Sequence, residues 1–194
     1  MLEHGVPDWY IWSCKKIKYM FPKAHAAAYD MSAIRLGWYK IYYPMEFYAA
    51  FFTVAPGGFD ATIVNRGYSG VNAAIKEIEE KGMEASAKEN ETCQTLYMVR
   101  EAMARGVKFL NVDLKRSDAT AFLPEDGKIR MPFNSLSGLG DTAAEKIIEA
   151  REKYDIYSVE ELRERTGISK TVIEILRTNN VLDGLSETNQ FSMF

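Results

Sequence analysis

Two cysteines and two histidines are all that 194 residues offer as soft metal ligands. Cys14 and Cys93 lie far apart without metal-type spacing and read as buried, reduced thiols; with only His4 and His25 beside them, a zinc site is not expected. No window approaches the roughly 20 apolar residues needed to cross a bilayer. The opening MLEHGVPDWYIW has neither the basic start nor the apolar run of a signal peptide. A cytoplasmic chain without a membrane partner is therefore expected. An excess of basic residues is also missing: 24 Lys and Arg stand against 27 Asp and Glu, a formal charge of −3. Any contact with polyanions must come from local patches and backbone amides. Finally, there is no Asp-x-Asp pair, and the acids are scattered along helical stretches. Two-metal phosphoryl chemistry, which needs carboxylates converging on adjacent ions, has no visible home.

What is present suits a soluble globular chain with a core, at 47% hydrophobic and 26% charged residues. The patterning predicts a mainly α fold with a small α+β middle portion, divided at residues 1–54, 55–131, 132–184 and 185–194. Lys23 to Tyr43 is rich in alanine and reads as a tightly packed helix. Pro22 sits where a first turn tolerates it, and Pro44 acts as a stop before a short buried helix from Met45 to Phe52. Ala55-Pro56-Gly57-Gly58 is a break. Apolar periodicity places amphipathic helices over Tyr68 to Lys81 and Asn90 to Arg105, each closed by a glycine. Met83 to Ala87, Val107 to Leu114, Ala121 to Leu123 and Lys128 to Met131 read as strands, the last two flanking a Glu-Asp-Gly turn. From Pro132 onward, helices are expected over Asp141 to Glu152, over Ser158 to Arg165 behind a Ser158/Glu161 capping box, and over Lys170 to Arg177. Leu185 to Phe194 has no periodicity and reads as an exposed tail.

Three constellations carry chemistry. Gly138-Leu139-Gly140 at a helix start exposes successive N–H groups at the positive end of the helix, a device that holds phosphate without side-chain chemistry. With Pro132 to Leu136 as lead-in and a second, poorer turn at Thr166 to Ser169, this fits a tandem helix-hairpin-helix that grips duplex DNA by shape. Thr142, Lys146, Gly167, Ser169 and Lys170 join the candidate DNA-binding set. The alternative is a pair of ordinary helix-linking turns. Next, Lys15, Lys16 and Lys18 precede Lys23-Ala24-His25-Ala26-Ala27-Ala28-Tyr29, where His25 and Tyr29 share a helix face. Basic side chains there could meet phosphates, or simply form a solvated surface. Last, Gln190-Phe191-Ser192-Met193-Phe194 ends a polar tail in apolar groups, which suits insertion into a partner's groove as well as a plain tail.

In this order the three signals resemble the C-terminal end of the PolC-type DNA polymerase III alpha subunit. Trp9 through Tyr29, including the Lys-x-His-x-Ala-Ala-Tyr pattern shared with C-family bacterial polymerases, is similar to the family's fingers. The segments Tyr48 to Val54, Asp113 to Thr120 and Pro132 to Gly140 continue the likeness. The terminal Gln-Phe-Ser-Met-Phe is similar to the family's sliding-clamp motif, usually Gln-Leu-Ser-Leu-Phe, from which Phe191 and Met193 depart conservatively. The resemblance implies that residues 1–54 end the fingers, with Lys23, His25 and Tyr29 near the incoming deoxynucleotide, and that residues 55–131 connect. It also implies that the hairpins hold primer–template duplex and that Gln190, Phe191, Met193 and Phe194 engage the clamp, the beta subunit. The palm, with its magnesium-binding aspartates, would lie in an upstream part of the polymerase. This chain would bind no cofactor itself and would be inactive alone. Two rivals stand beside that reading: a clamp-docking adaptor with purely structural hairpins, and a standalone nuclease or nucleotidyltransferase using Asp113 with Asp118 or Glu125 with Asp126.

Overall fold

The computed structural model describes residues 1–17, 22–54 and 57–188. By its internal contacts the chain divides into residues 1–42 and 43–194. In the first unit, α1 covers Asp8–Lys16 and α2 covers Lys23–Tyr42. The bounds of α2 follow the alanine-rich run as expected, but the tight packing does not: neither helix has a buried residue, and Ile34 is 71% exposed. Alanine favours the helix through backbone propensity alone, so helix formation carries no promise of burial.

Among the described residues, all the buried ones lie in the second unit, from Tyr48 to Leu182. Helix α3 spans Pro44–Val54, with Pro44 in its first turn, and it buries Tyr48, Ala49 and Phe52. The sequence grouped this helix with residues 1–54, whereas its contacts place it in the unit that starts at Tyr43. Phe52 meets Phe59, Phe109 and Phe122 at centroid separations of 5.3, 5.7 and 5.7 Å. Phe52 and Phe122 are buried and contribute about 1.5–3 kcal/mol each, with Phe59 and Phe109 partly buried beside them, which makes this cluster the seam between helix and sheet. After the short α4 (Ala61–Val64), capped by the Asp60 carboxylate, α5 runs over Gly67–Lys81 and α6 over Ala87–Ala104. These two pack side by side through Val71, Ile75 and Ile78 on one helix and Leu96 and Val99 on the other.

The strand expected at Met83 to Ala87 is absent. A single 3-10 turn (Gly82–Glu84) leads instead into Ser86, which caps α6 through a complete Ser86/Glu89 capping box. The reciprocal cap wins over a few alternating apolar residues because it satisfies two amides that would otherwise lack partners. The sheet is smaller than the patterning suggested. It consists of β1 (Phe109–Leu110), β2 (Leu123–Glu125) and β3 (Lys128–Arg130) in the order β1-β3-β2, with β1 parallel and β2 antiparallel to β3. Asp126 and Gly127 form the two-residue turn of the β2–β3 hairpin, both with positive φ. Beyond β1, the stretch to residue 120 is a loop held by its own side chains. Asp113 Oδ1 accepts from the amides of Lys115 and Arg116, and Asp118 Oδ1 from those of Thr120 and Ala121. Ser117, fully buried, accepts from the Asp113 amide and donates to the Met131 carbonyl.

Helices α7 (Asp141–Lys153), α8 (Val159–Thr166) and α9 (Lys170–Thr178) complete the unit within two residues of their expected ends. The described start of the tail is paired rather than free. Ser186 bridges Ser158 in parallel, and the Val159 and Glu160 amides donate to the carbonyls of Ser186 and Glu187. Backbone pairing needs no apolar period, which is why the sequence did not disclose it. No helix among the described residues is long and apolar enough to cross a membrane.

Candidate nucleic-acid interface

The first hairpin is set by the loop before it. Amides of Phe133 and Asn134 donate to the carbonyls of Asp118 and Ala119, so the self-braced 113–120 loop fixes where the chain enters. Phe133, which opens a short 3-10 turn (Phe133–Ser135), and Leu136, which follows it, are fully buried, and this turn takes the place of a full lead-in helix. Leu136-Ser137-Gly138-Leu139 then makes a four-residue turn, closed by the Leu139 amide on the Leu136 carbonyl at 3.0 Å. Gly138 has φ 89°, which the third position of a type II turn requires. A Cβ there would also stand 2.9 Å from Ile175 Cδ1 of α9. Gly140, with φ −84°, is the N-cap of α7 and meets nothing within 4 Å where its Cβ would be.

The occupancy of the amides decides what the hairpin can do. Leu139 has used its N–H on the turn. Among the described residues, the amides of Gly138, Gly140, Asp141 and Thr142 have no protein acceptor. Donors in this arrangement at a helix start attract an anion. Asp141 adds a carboxylate nearby, but its Oδ1 accepts from Asn134 Nδ2 at 3.0 Å. Lys146, on the exposed side of α7, makes no ion pair among the described residues.

The second hairpin is built differently. Gly167 (φ 62°) ends α8 in the left-handed conformation, and its amide donates to the Arg163 carbonyl. The Ile168 amide donates to Thr166 Oγ1. Ser169 caps α9 by accepting from the Val172 amide, which leaves the amides of Ser169, Lys170 and Thr171 open among the described residues. The groove here, about 690 Å³, mixes Arg163, Lys170 and Arg177 with Glu160, Glu164, Glu174 and Glu187. Arg177 is held by Glu174 and Glu187. The second turn therefore offers fewer open donors and more negative charge than the first.

Of the remaining candidates, His25 and Tyr29 do share a face of α2, with ring centroids 4.5 Å apart. Lys15 and Lys16 end α1, with Lys16 Nζ 3.9 Å from the centre of the Trp12 ring, and Lys23 opens α2. Lys18, Gln190, Phe191, Met193 and Phe194 lie outside the described residues. Of the carboxylates of the rival enzyme reading, Asp113, Asp118 and Glu125 are committed locally, while Asp126 sits in the β2–β3 turn. Asp113 and Asp118 hold their own loop. Glu125 binds Arg116 and Arg130, each at 2.6 Å, and these guanidiniums draw its carboxyl from 4.5 down to about 2. No group of three or more His, Cys, Asp or Glu placed to hold a metal occurs among the described residues.

Sequence reasoning overlooked Lys88 and Thr92. Both lie near the start of α6 and line the cleft that the first hairpin faces, with Gly58, Asp60 and Asn134. No local pattern marks them, because the cleft forms only when α6 packs near a loop far along the chain.

Comparison with known proteins bears on this geometry. A helix-hairpin-helix motif model matches residues 106–191, the span from the small sheet through both hairpins. The whole chain aligns at 50% identity with the PolC-type DNA polymerase III of Caldanaerobacter subterraneus subsp. tengcongensis, covering 14% of that protein. The corresponding proteins of Halalkalibacterium halodurans and Clostridium perfringens align over all 194 residues at 47% and 46% identity, with 14% and 13% of their length covered. From end to end, then, this chain is similar to a segment of PolC-type DNA polymerase III, and over residues 106–191 it carries a helix-hairpin-helix motif.

Proposed function

We propose that this chain is the DNA-gripping and clamp-tethering part of a replicative polymerase of the PolC type. The open amides of Gly138, Gly140, Asp141 and Thr142, inside the region matched by the helix-hairpin-helix model, carry the reading. They would take a backbone phosphate of primer–template duplex, with Lys146 contributing charge beside them. The second hairpin, through the amides at Ser169 and Lys170, would take another phosphate more weakly. Contacts of this kind recognise the sugar–phosphate backbone and carry no base preference.

On the same reading, Lys23, His25 and Tyr29 meet the incoming nucleotide, Lys15, Lys16 and Lys18 meet phosphates, and Gln190 to Phe194 bind the sliding clamp. Such a tether raises processivity through effective concentration. Magnesium and the nucleotidyl-transfer step would belong to a part of the polymerase beyond these residues, since the chain has no Asp-x-Asp pair. The chain itself would be inactive, and the compartment would be the cytoplasm.

Duplex titration over a salt series tests the reading. Binding with a log–log slope of about −0.9 per phosphate contacted is expected. A salt-independent or absent response would remove duplex gripping. Deleting residues 190–194 is expected to abolish clamp binding and leave duplex affinity unchanged. Clamp binding by a chain that never binds DNA would favour the adaptor instead.

A further inference from the structure

The cleft in front of the first hairpin has two walls. One is the hairpin itself, from Leu136 to Gly140; the other is the beginning of α6, with Lys88 and Thr92. Its volume is about 430 Å³, within the range of small-ligand sites. The second wall lies outside the span matched by the helix-hairpin-helix model.

Its chemistry is lopsided toward donors. Lys88 is exposed and makes no ion pair among the described residues. The hydroxyls of Thr92 and Ser137 have no hydrogen-bond partner among the described residues. The one carboxylate in the lining, Asp60, turns its Oδ1 to the amides of Thr62 and Ile63. A lysine in the first turn of a helix also sits at the end where a cation is disfavoured. An anion between the walls would relieve that placement and satisfy the amides opposite. Gly58 lets a third part of the lining lie against α6: a Cβ there would stand 2.8 Å from the α6 backbone at Glu91.

We propose that Lys88 and Thr92 form the second jaw of a phosphate clamp, closing on the same DNA phosphodiester that the Gly138–Gly140 turn holds. This rests on the duplex-gripping reading and extends it. The site then takes its phosphate from opposite sides, with the neutral hairpin amides giving direction and Lys88 giving charge. At the second hairpin the basic residues of the groove, Arg163 and Lys170, stand among four glutamates, so the grip on the duplex is unequal.

The test uses the full 194-residue chain with Lys88→Ala, Lys88→Arg and, as a control outside the cleft, Lys76→Ala. Lys88→Ala is expected to bind duplex on the order of tenfold more weakly, as loss of a charge-assisted hydrogen bond implies, and to lower the salt slope by about one. Lys88→Arg should retain binding, and Lys76→Ala should match the parent. Replacing single phosphates of the duplex by neutral methylphosphonates should reveal one position that weakens the parent chain but not Lys88→Ala. If the parent binds with its salt slope and Lys88→Ala matches it in affinity and slope, the second jaw is refuted while duplex gripping stands. Equal weakening by Lys76→Ala would also refute it, as a mere effect of net charge. A parent chain without salt-dependent binding would defeat the duplex reading, and this one with it.

Discussion

Glu125 shows how one side chain can fasten the small sheet. Its carboxylate accepts from Arg130 Nε at 2.9 Å and Nη2 at 2.6 Å, while Arg130 Nη1 donates to the Asn111 carbonyl. Arg130 is only 9% exposed, so losing its partner would leave a nearly buried guanidinium half satisfied. The folded-state pKa of Glu125 lies near 2, below the 4.5 of a free carboxyl. The unfolded chain thus takes up the proton first as pH falls. The stabilisation is complete above about pH 4.5 and is lost on descending toward 2. Glu89 is shifted the same way by Lys81 and the Ser86 cap. The melting temperature of the parent should fall steeply in this window. Glu125→Gln should have a lower melting temperature at neutral pH and a flatter acid limb; an acid limb as steep as the parent's would locate the titration elsewhere. Residue-scale logic of this kind is hidden in the sequence. Glu125 looks there like a turn residue or a rival catalytic acid, because its arginines approach only after β2 and β3 pair.

The elements show what sequence reveals and what it conceals. Helices α2, α5, α7 and α9 are legible because alanine content or apolar periodicity runs through them, with Pro44, Gly82 and Gly140 as punctuation. Helix α6 starts three residues before its apolar period does, since Ala87, Lys88 and Glu89 carry none and only the Ser86 cap declares the start. Asn111 to Leu114, expected to continue a strand, is loop instead. The Asp113 and Asp118 side chains bond their own backbone, an alternative that competes with ladders. Both hairpin turns are recognisable by their glycines, yet the sequence could not say which amides stay open. Ser86→Ala should remove the cap and lower stability by about 1 kcal/mol. A denaturant titration should show that loss with an unchanged m-value. Because Lys88 lies in the turn this cap organises, the same variant should also weaken duplex binding. Unaltered stability would mean that α6 starts without its cap.

At the scale of the molecule, burial among the described residues is confined to residues 48–182, while α1 and α2 leave Trp9 70% and Ile41 65% exposed. Apolar area of that extent left in water marks surface meant for contact and promotes self-association. Removing residues 1–42 should therefore give a more soluble protein that unfolds cooperatively with the melting temperature of the full chain, as scanning calorimetry and light scattering would check. A truncated chain that lost its transition would show that the core needs those helices. The division near residue 42 is not legible in the sequence, because both sides are aromatic-rich and helical, and composition does not change there.

The parallel pairing of Ser186 and Glu187 with Ser158 to Glu160 has a mechanical consequence. It fixes the root of the C-terminal strap to the start of α8, the helix that leads into the second hairpin. A pull on the chain beyond residue 188 would therefore load α8 directly, and through it the left-handed turn at Gly167.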